Sequence, residues 1–573
     1  MIQIAHNAVH ACLVNAPKSA QLEANRLLSY SVSGAEHMAA FNSSSWSGRS
    51  SFFSFPKCSF PRGFVDLVAR GLRKQGHEVQ LVARPLPEPL GPELPDVDAF
   101  GHAPRYDYQP ATIAKLVQHG QIIAQIATGG GKSRIAKMAY KRINRNTLFL
   151  TTRGILMHQM RIAAEDMGEE VAVLGDGEWG IPYTKSDGKP GRRLSQFCVG
   201  MVQTLSQRLE PMTVEIEYRA LMLRRAVALE KQLDALRVKL VKEDMLPHLI
   251  GDEVKKMAEL ADAAVPDPEI DHALLRHKVN RHEKLRLATV KFLERFELVI
   301  AEEAHELSGS GFYKVMSACK NAHYRLALTA TPFMKNDEEA NMRLLASCGP
   351  IAIQVSEKLL IDRGILAKPY FKFLKLPESS RPKGLFRSTP WQTAYSVGIV
   401  KNSHRNKLLC AEALRGIRHG LNVLMLVQYK EHGTLLKTTL LAAGVRAEFI
   451  DGGSDQKART KCLKALAAGE LDVLIGSSIL DVGVDVPSIG MIILAGGSKA
   501  EVSLRQRIGR GLREKKSGGP NVALIIDVYD EQNNHLKAHA VERQGIIRGT
   551  PGFGENIVTD FDFVALGLAR KAA

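Results

Sequence analysis

Two groups of residues with clear chemical potential lie far apart in this sequence. Residues 126–133 read I-A-T-G-G-G-K-S, and residues 506–513 read Q-R-I-G-R-G-L-R. Consecutive glycines allow backbone N–H groups to turn toward a phosphate, and a helix that begins after them adds a favourable dipole. Arginines can stabilise the charge at the far end of a triphosphate. The two segments together predict an ATPase with two lobes that close around the nucleotide.

The glycine segment supplies the groups that ATP and Mg²⁺ require. Lys132 is expected to bridge the β- and γ-phosphates, and Ser133 is expected to hold Mg²⁺. The strict phosphate-loop pattern has a glycine at the position where Ile126 stands. The predicted nucleotide-binding residues of this segment are Thr128, Gly129, Gly130, Gly131, Lys132 and Ser133.

A second candidate site follows an apolar run at residues 298–305, which read L-V-I-A-E-E-A-H. The run predicts a buried strand with acids at its carboxyl end, where open α/β sheets bind ligands. Glu302 can hold Mg²⁺, Glu303 can orient or deprotonate an attacking water, and His305 can couple the site to the second lobe. The alternative is a salt-bridged acid pair at the start of a helix.

The segments that must position these residues alternate between sequence patterns typical of strands and patterns typical of helices. This alternation predicts an α/β fold with parallel sheets flanked by helices, arranged as two similar lobes. The predicted strands lie at residues 122–126, 148–151, 298–301 and 326–329, and then at 423–427, 447–450, 473–476, 491–494 and 522–526. The predicted divisions are a small accessory domain (1–83), a proline-rich linker (84–103), a first lobe (104–350), a second lobe (351–545) and a tail (546–573).

Two further segments, the insertion in the first lobe and the first domain, have two interpretations each. Residues 212–291 interrupt the first lobe with helical text, which predicts either a solvated helical insertion or an arm that grips DNA. The aromatic residues of the first domain either stack on bases or form a small core. These residues are Trp46, Phe52, Phe53 and Phe55, and the stronger candidates for phosphate contact nearby are Arg49, Lys57 and Arg62.

Composition bounds the class of protein. The 573 residues include 77 Lys and Arg against 60 Asp and Glu, a formal net charge of +17 that favours polyanions. The seven cysteines form no C-x-x-C pair, so neither a zinc site nor a disulfide framework is predicted. No run of apolar residues is long enough for a membrane helix, and no secretory signal is recognised. These features predict a cytoplasmic protein.

The order of the motifs resembles that of superfamily 2 helicases. The glycine segment, E-E-A-H, T-A-T-P at residues 329–332 and Q-R-I-G-R-G-L-R follow one another as in the DEAH-like branch. The resemblance is strongest to UvsW-type phage helicases and their XPB and RecG relatives, over about residues 104–530. It implies two RecA-like lobes in a protein of a bacterial or phage-infected cell. It also implies that Arg510 and Arg513 complete the ATP site as arginine fingers, with Gln506 beside them. That family usually has Asp where Glu302 stands.

The same resemblance implies roles for further residues. Arg105 and Gln109 lie where the family reads adenine, and Gly483 and Asp485 lie in the motif that joins ATP to the nucleic-acid track. The residues that the resemblance places near the nucleic-acid backbone are Arg153, Gln159, Gln203, Thr204 and Ser477. Such polar groups contact phosphate without reading sequence.

The sequence therefore predicts an ATP-dependent DNA helicase or translocase, which unwinds or branch-migrates duplex and branched DNA in recombination, replication or repair. Three alternatives remain: an RNA helicase, an ATP-gated clamp or annealing protein, and the translocating subunit of a restriction system. The absence of a nuclease pattern disfavours the last of these. The oligomeric state is left open, and a monomer is compatible with the motifs.

Overall fold

The chain folds into a small amino-terminal domain followed by two α/β lobes. The computed structural model describes residues 1–38, 41, 46–99, 101–184, 187–263, 268–333, 337–454, 456–476, 489–497, 504–505, 508–509, 512 and 519–568, without the side chains at 262–263, 268–271 and 456–457. Short 3₁₀ turns lie at Ala35–His37, Arg62–Phe64, Pro104–Tyr106, Ala304–Leu307, Glu378–Ser380 and Gly554–Asn556. No helix in these ranges has the length and apolarity needed to cross a membrane.

The amino-terminal domain is a four-stranded sheet, in the order β5-β2-β1-β6, covered by two helices. Its elements are β1 (Ile2–His6), β2 (His10–Val14), α1 (Lys18–Leu27), β3 (Ser29–Ser31), β4 (Arg49–Ser51), β5 (Ser59–Pro61), α2 (Val65–Lys74) and β6 (Val79–Ala83). Phe53 is buried in its core, which extends to Ala346 of the first lobe. The core interpretation therefore applies to Phe53, whereas Phe55 is 36% exposed and contacts the Lys18 ammonium.

Arg62 joins this domain to the first lobe. Its guanidinium donates to the backbone carbonyls of His119 and His323, each at 3.3 Å. Burial, together with the nearby charge of Arg325, lowers the pKa of Arg62 to about 10. The structure therefore uses Arg62 for docking the two domains, and the expectation that it contacts phosphate is not supported by its position.

The first lobe is an eight-stranded sheet in the order β10-β9-β13-β8-β14-β15-β7-β16. All its neighbouring strands are parallel except the antiparallel pair of β10 with β9. Its strands are β7 (Gln121–Ile126), β8 (Thr147–Thr151), β9 (Val171–Gly175), β10 (Glu178–Trp179), β13 (Phe197–Met201), β14 (Leu298–Glu302), β15 (Tyr324–Thr329) and β16 (Ile351–Val355), with a separate hairpin of β11 (Ile181–Thr184) and β12 (Pro190–Arg193). Its helices are α3 (Tyr108–His119), α4 (Lys132–Ile143), α5 (Gly154–Glu165), α6 (Val202–Leu209), α10 (Ser310–Ala318) and α11 (Glu338–Cys348).

Three helices form the insertion that the sequence places within this lobe. They are α7 (Val214–Lys242), α8 (Pro247–Ala263) and α9 (Pro268–Leu293). The Thr213 hydroxyl caps α7 by accepting from the backbone N–H of Ile216 at 3.2 Å. Both α8 and α9 pack against α7, and α9 also packs against α6 of the lobe. The insertion therefore leaves the sheet beside α6 and returns directly into β14.

The second lobe is a seven-stranded parallel sheet in the order β19-β20-β18-β21-β22-β17-β23. Its strands are β17 (Lys368–Lys375), β18 (Asn422–Leu426), β19 (Ala447–Ile450), β20 (Val473–Gly476), β21 (Ile489–Leu494), β22 (Val522–Tyr529) and β23 (Ile557–Val558). Its helices are α12 (Glu357–Asp362), α13 (Trp391–Tyr395) continued by a π-turn at Ser396–Val400, α14 (Ser403–Arg418), α15 (Lys430–Ala442), α16 (Gln456–Ala468) and α17 (Asn534–Gly549). The predicted α/β class with two parallel-sheet lobes is confirmed.

The structure adds detail to three of the predicted divisions. β16 pairs with β7, so the first sheet extends past the boundary predicted at residue 350. β23 pairs with β17, so the predicted tail contributes a strand to the second lobe. The proline-rich segment lies against the first lobe, because the backbone N–H of Gly91 donates to the Arg142 carbonyl at 3.0 Å. We refer to residues 84–103 as the strap.

A buried histidine makes the second lobe sensitive to acid. His432 is 0% exposed, and burial together with Arg405 lowers its pKa to about 3. The unfolded chain binds this proton near pH 6.5 and the folded chain does not, so stability is lost as pH falls below about 6.5. Lowering the pH from 7 to 5 is expected to cost about 2 kcal/mol from this group. Urea titrations of wild type and His432→Gln at both pH values should show a smaller pH effect in the variant, and equal pH effects would contradict this assignment.

Candidate functional site

The phosphate loop follows β7 directly and ends where α4 begins. Gly129 and Gly131 adopt φ of +87° and +80°, in the left-handed region that favours glycine. A Cβ atom at Gly131 would lie 2.6 Å from Nε2 of Gln109, so a larger residue would displace the amide that donates to the Gly130 carbonyl. The backbone between Ile126 and Lys132 therefore takes the shape in which N–H groups can surround a phosphate.

The loop and the acid motif meet at the carboxyl ends of β7 and β14. The Ser133 hydroxyl donates to Oε1 of Glu302 at 3.3 Å, and Nζ of Lys132 lies 3.6 Å from Oε1 of Glu303. Lys132 and Glu302 are only 8% and 6% exposed. Ser133 and Glu302, about 170 positions apart, thus share one partly buried site, because β7 and β14 are parallel strands of the same sheet.

Glu302 and Ser133 fit the Mg²⁺ that the class of site implies. Burial, with a smaller contribution from Glu303, raises the pKa of Glu302 to about 7, although Lys132 acts in the opposite direction. A carboxylate held in this way gains by binding a cation, and carboxylate and hydroxyl oxygens are ligands of Mg²⁺. No cluster of three or more His, Cys, Asp or Glu that could hold a metal alone occurs in the described ranges. The donor set therefore suits a cation that takes its other ligands from phosphate and water.

Glu303 is held with one carboxylate oxygen uncommitted. Its φ is +50°, a left-handed conformation that is uncommon outside glycine. Oε2 is buried and accepts no hydrogen bond within the described structure. Nδ1 of His305 lies 3.5 Å from that oxygen, and the same nitrogen lies 3.0 Å from Oγ1 of Thr329. The geometry thus places the Glu303 carboxylate, with an unbonded Oε2, beside Lys132. His305 connects this carboxylate to Thr329 of the T-A-T-P segment.

Gln109 lies under the phosphate loop. Its Nε2 donates to the Gly130 carbonyl at 3.3 Å, and its Oε1 accepts from Nη1 of Arg134 at 2.6 Å. The side chain is 1% exposed. Both of its polar ends are thus engaged, whereas the sequence predicted that they would be offered to adenine. Arg105, which shares that predicted role, lies in the Pro104–Tyr106 turn with its guanidinium 5.0 Å from the Tyr106 ring centroid.

Arg134 connects this glutamine to the strap. Its Nε donates to both carboxylate oxygens of Asp98, at 3.1 and 2.9 Å, and its Nη2 donates to the Gly101 carbonyl. The Tyr108 hydroxyl adds a 2.8 Å hydrogen bond to the Gly130 carbonyl. Asp98, Arg134, Gln109 and Gly130 therefore form a continuous chain of hydrogen bonds, which we call the loop clamp.

Removing the centre of the loop clamp should weaken ATP binding. Arg134→Ala deletes the charge-assisted hydrogen bond to Gln109 and also removes the guanidinium that pairs with the Asp98 carboxylate. We expect the free energy of ATP binding to weaken by an amount on the order of 1.4 kcal/mol or more. We expect KM for ATP to rise about tenfold and kcat to change by less than about threefold. Arg142→Ala, which removes a bond to the strap at Gly91 but lies outside the loop clamp, is the matched control. An equal rise of KM in both variants would contradict a specific role for the clamp.

Three of the residues predicted to contact nucleic acid, Arg153, Gln203 and Thr204, follow the carboxyl ends of β8 and β13 in the first sheet. Arg153 forms an ion pair with Glu306 through Nε at 2.8 Å and through Nη2. Nε2 of Gln203 donates to the Thr152 carbonyl at 3.1 Å. Thr204 is half-buried in the first turn of α6, and Gln159 is exposed on α5. Gln203 and Arg153 are therefore close neighbours, joined through Thr152.

The second lobe reaches the phosphate loop through the arginine-rich segment. A Cβ atom at Gly509 would lie 2.8 Å from Cβ of Thr128, so this glycine permits close contact between the lobes. Six predicted site residues lie outside the described residues: Ser477, Gly483, Asp485, Gln506, Arg510 and Arg513.

Four residues of the site were not singled out from the sequence. Asp98, Tyr108 and Arg134 belong to the loop clamp, and Glu306 pairs with Arg153. Burial acts to raise the pKa of Glu306, and the hydrogen bonds from Arg153 and Thr152 act to lower it. The hydrogen bonds prevail, so the pKa of Glu306 lies below its usual range. Tyr108 stands next to Gln109 in the R-Y-D-Y-Q segment, which was a usable signal. Asp98 and Arg134 are 36 positions apart, and nothing local links them.

Comparison with known proteins matches both lobes. Residues 103–334 match the family described as type III restriction enzyme, res subunit, and residues 404–515 match the helicase conserved C-terminal domain. Together these matches cover both halves of the candidate ATP site, including the described Gly509.

Individual relatives are distant. The DNA 3'-5' translocase XPB2 of Sulfurisphaera tokodaii is 28% identical over 265 residues, which cover 41% of this chain and 58% of that protein. The ATP-dependent DNA helicase uvsW of Enterobacteria phage T4 is 22% identical over 273 residues, covering 44% and 53%. The crystal structure of T4 UvsW aligns at a TM-score of 0.40 with 15% identity, over 97% of this chain and 98% of that chain. The chain thus spans about half the length of the curated relatives it matches.

Two parallel-sheet lobes, with a phosphate loop and an acid motif at the carboxyl ends of strands in the first lobe, define a two-lobed RecA-like ATPase. By its domain matches and the order of its motifs, the chain belongs to the superfamily 2 helicases, near the UvsW-type phage helicases.

Proposed function

We propose that this protein is an ATP-driven translocase that unwinds or branch-migrates DNA. The observation that carries the proposal is the meeting of Lys132 and Ser133 with Glu302 and Glu303 in one partly buried site. The approach of Gly509 to Thr128 supports a site completed by the second lobe. ATP binding and release would then be coupled to opening and closing of the lobes.

The chain's own residues have distinct tasks in this mechanism. The loop amides and Lys132 bind the phosphates, which requires Lys132 to exchange its contact with Glu303 for a phosphate oxygen. Ser133 and Glu302 would hold Mg²⁺, which supplies charge neutralisation at the phosphates when bound. Glu303 then accepts the proton of the attacking water through Oε2, which makes no hydrogen bond in the described structure, and His305, with Nδ1 3.5 Å from that oxygen, holds the carboxylate in place.

DNA is the proposed substrate for reasons of charge and kinship. The formal charge of +17 favours a polyanion, and Gln203 and Arg153 offer polar groups that contact a backbone without reading bases. The two curated relatives are described as acting on DNA. We further propose that residues 1–83 form an accessory domain that engages duplex or branched DNA.

The test measures ATP turnover by the full chain alone and with forked DNA, a four-way junction or an RNA duplex. We expect stimulation at least about tenfold larger with a DNA substrate than with RNA, and strand separation that requires ATP. Lys132→Ala serves as the inactive control, because it removes the ammonium that binds the phosphates. Equal or greater stimulation by RNA would refute the DNA assignment. Nucleic-acid binding without any ATP turnover would favour an ATP-gated clamp instead.

A further inference from the structure

We propose that the carboxyl-terminal half of α9 is a DNA-backbone contact surface that extends the nucleic-acid track of the first lobe. The surface consists of Arg281, Lys284 and Lys291, all exposed to solvent, and we call it the basic stripe. The inference rests on the proposed function, since it names a second place at which the same DNA is held. Its occupant is the phosphodiester backbone of duplex DNA.

Helical geometry places the three cations together. At 100° per residue they fall within about 80° of the helix circumference, and from Arg281 to Lys291 the stripe is about 15 Å long. The opposite face carries Thr289 and Leu293, which are 2% and 0% exposed, and Leu293 belongs to the core of the first lobe. The orientation of α9 is therefore fixed by packing, and the cations point away from the lobe.

Among the described residues, the acidic side chains on α9 near the stripe are paired with other cations. Glu283 accepts two hydrogen bonds from Arg286, at 2.7 and 2.6 Å, and Glu294 pairs with Lys320 at 2.7 Å. Within the described parts of the chain, no ion pair involves Arg281, Lys284 or Lys291. Three exposed cations, with no acidic partner among the residues that the structure describes, match the regularly spaced charges of a nucleic-acid backbone.

The position of α9 joins the stripe to the predicted track. The helix packs against α6, which carries Gln203 and Thr204, and the chain enters α7 shortly after α6. Lys278 of α9 pairs with Glu217, near the start of α7. The part of α9 after Lys278 therefore extends from the start of α7 back to the first lobe. There it lies beside α6, which carries the residues predicted to contact DNA.

The test compares DNA binding by the full chain and by the triple variant R281Q/K284Q/K291Q over a series of salt concentrations. Each phosphate contact contributes about 0.9 to the slope of log K against log salt. We expect the slope to fall by about 2–3 and Kd for a forked duplex to rise at least about tenfold at low salt. KM for ATP in the absence of DNA and Tm should remain unchanged.

The matched control is R237Q/K239Q/K242Q, which removes the same charge from exposed positions at the far end of α7. An unchanged slope in the stripe variant, or an equal change in the control, would overturn the proposal. A larger loss of RNA-duplex binding than of DNA binding would overturn its assignment to DNA, and a change in oligomeric state would identify a protein contact instead. Wild-type protein that shows no DNA binding at all would refute the proposed function itself, which separates the two failures.

Discussion

Glu303→Gln is expected to reduce kcat for ATP hydrolysis by about 10²–10⁴-fold, the range of a general base. The carboxylate has a buried Oε2 with no hydrogen-bond donor in the described structure, and the glutamine amide cannot take a proton from water there. ATP affinity should be kept or improved, because Lys132 loses a competing anion 3.6 Å away. Single-turnover hydrolysis and nucleotide-binding titrations separate the two effects.

Glu297→Gln is the matched control for this variant. Glu297 pairs with Arg145 at 2.9 Å on the same lobe, but it precedes β14 and so lies at the opposite end of that strand from the acid motif. We expect its kcat to stay within about twofold of wild type, as a partly exposed ion pair contributes little. A Glu303→Gln variant with kcat within about threefold of wild type would remove Glu303 from the mechanism.

The nine strands predicted for the two lobes are present and most are buried on both faces, but β9 and β13 are similarly buried and were not predicted. Continuous apolar runs identify β14 and β15 to within one or two residues. β16 reads I-A-I-Q-V and is half-exposed along most of its length, so its text carries a weaker signal. The strap could be predicted only to lack helix and strand, because its attachment depends on hydrogen bonds to the side chain and backbone of residues about 50 positions away.

The candidate site was predictable where its chemistry is local. Lys132, Ser133, Glu302 and Glu303 stand in short motifs, and sheet topology brings those motifs together. The partners of Gln109 were not predictable, because the amide chemistry suits either adenine or a protein partner, and Arg134 lies 25 positions away. The pairing of Arg153 with Glu306 spans 153 positions and likewise has no local signal.

A buried ion pair stabilises the second lobe near the end of β21, the strand that precedes the arginine-rich segment. Arg405 is 0% exposed, and its Nε and Nη2 donate to Asp530 at 2.9 and 3.1 Å. Its Nη1 also donates to the Ala495 carbonyl at 2.8 Å, just after β21. The pair therefore fixes the point from which the chain leaves the sheet.

Asp530→Asn is expected to destabilise the second lobe by about 3–5 kcal/mol, because it leaves the Arg405 charge buried without a counterion. Denaturant titrations should show this loss, whereas Glu448→Gln, which breaks the partly exposed pair with Lys437, should cost less than about 1 kcal/mol. Replacing both buried partners, as Arg405→Met with Asp530→Leu, removes the uncompensated charge and should recover most of the loss. A single Asp530→Asn variant as stable as Glu448→Gln would show that the Arg405 charge is compensated by its backbone carbonyl contact alone.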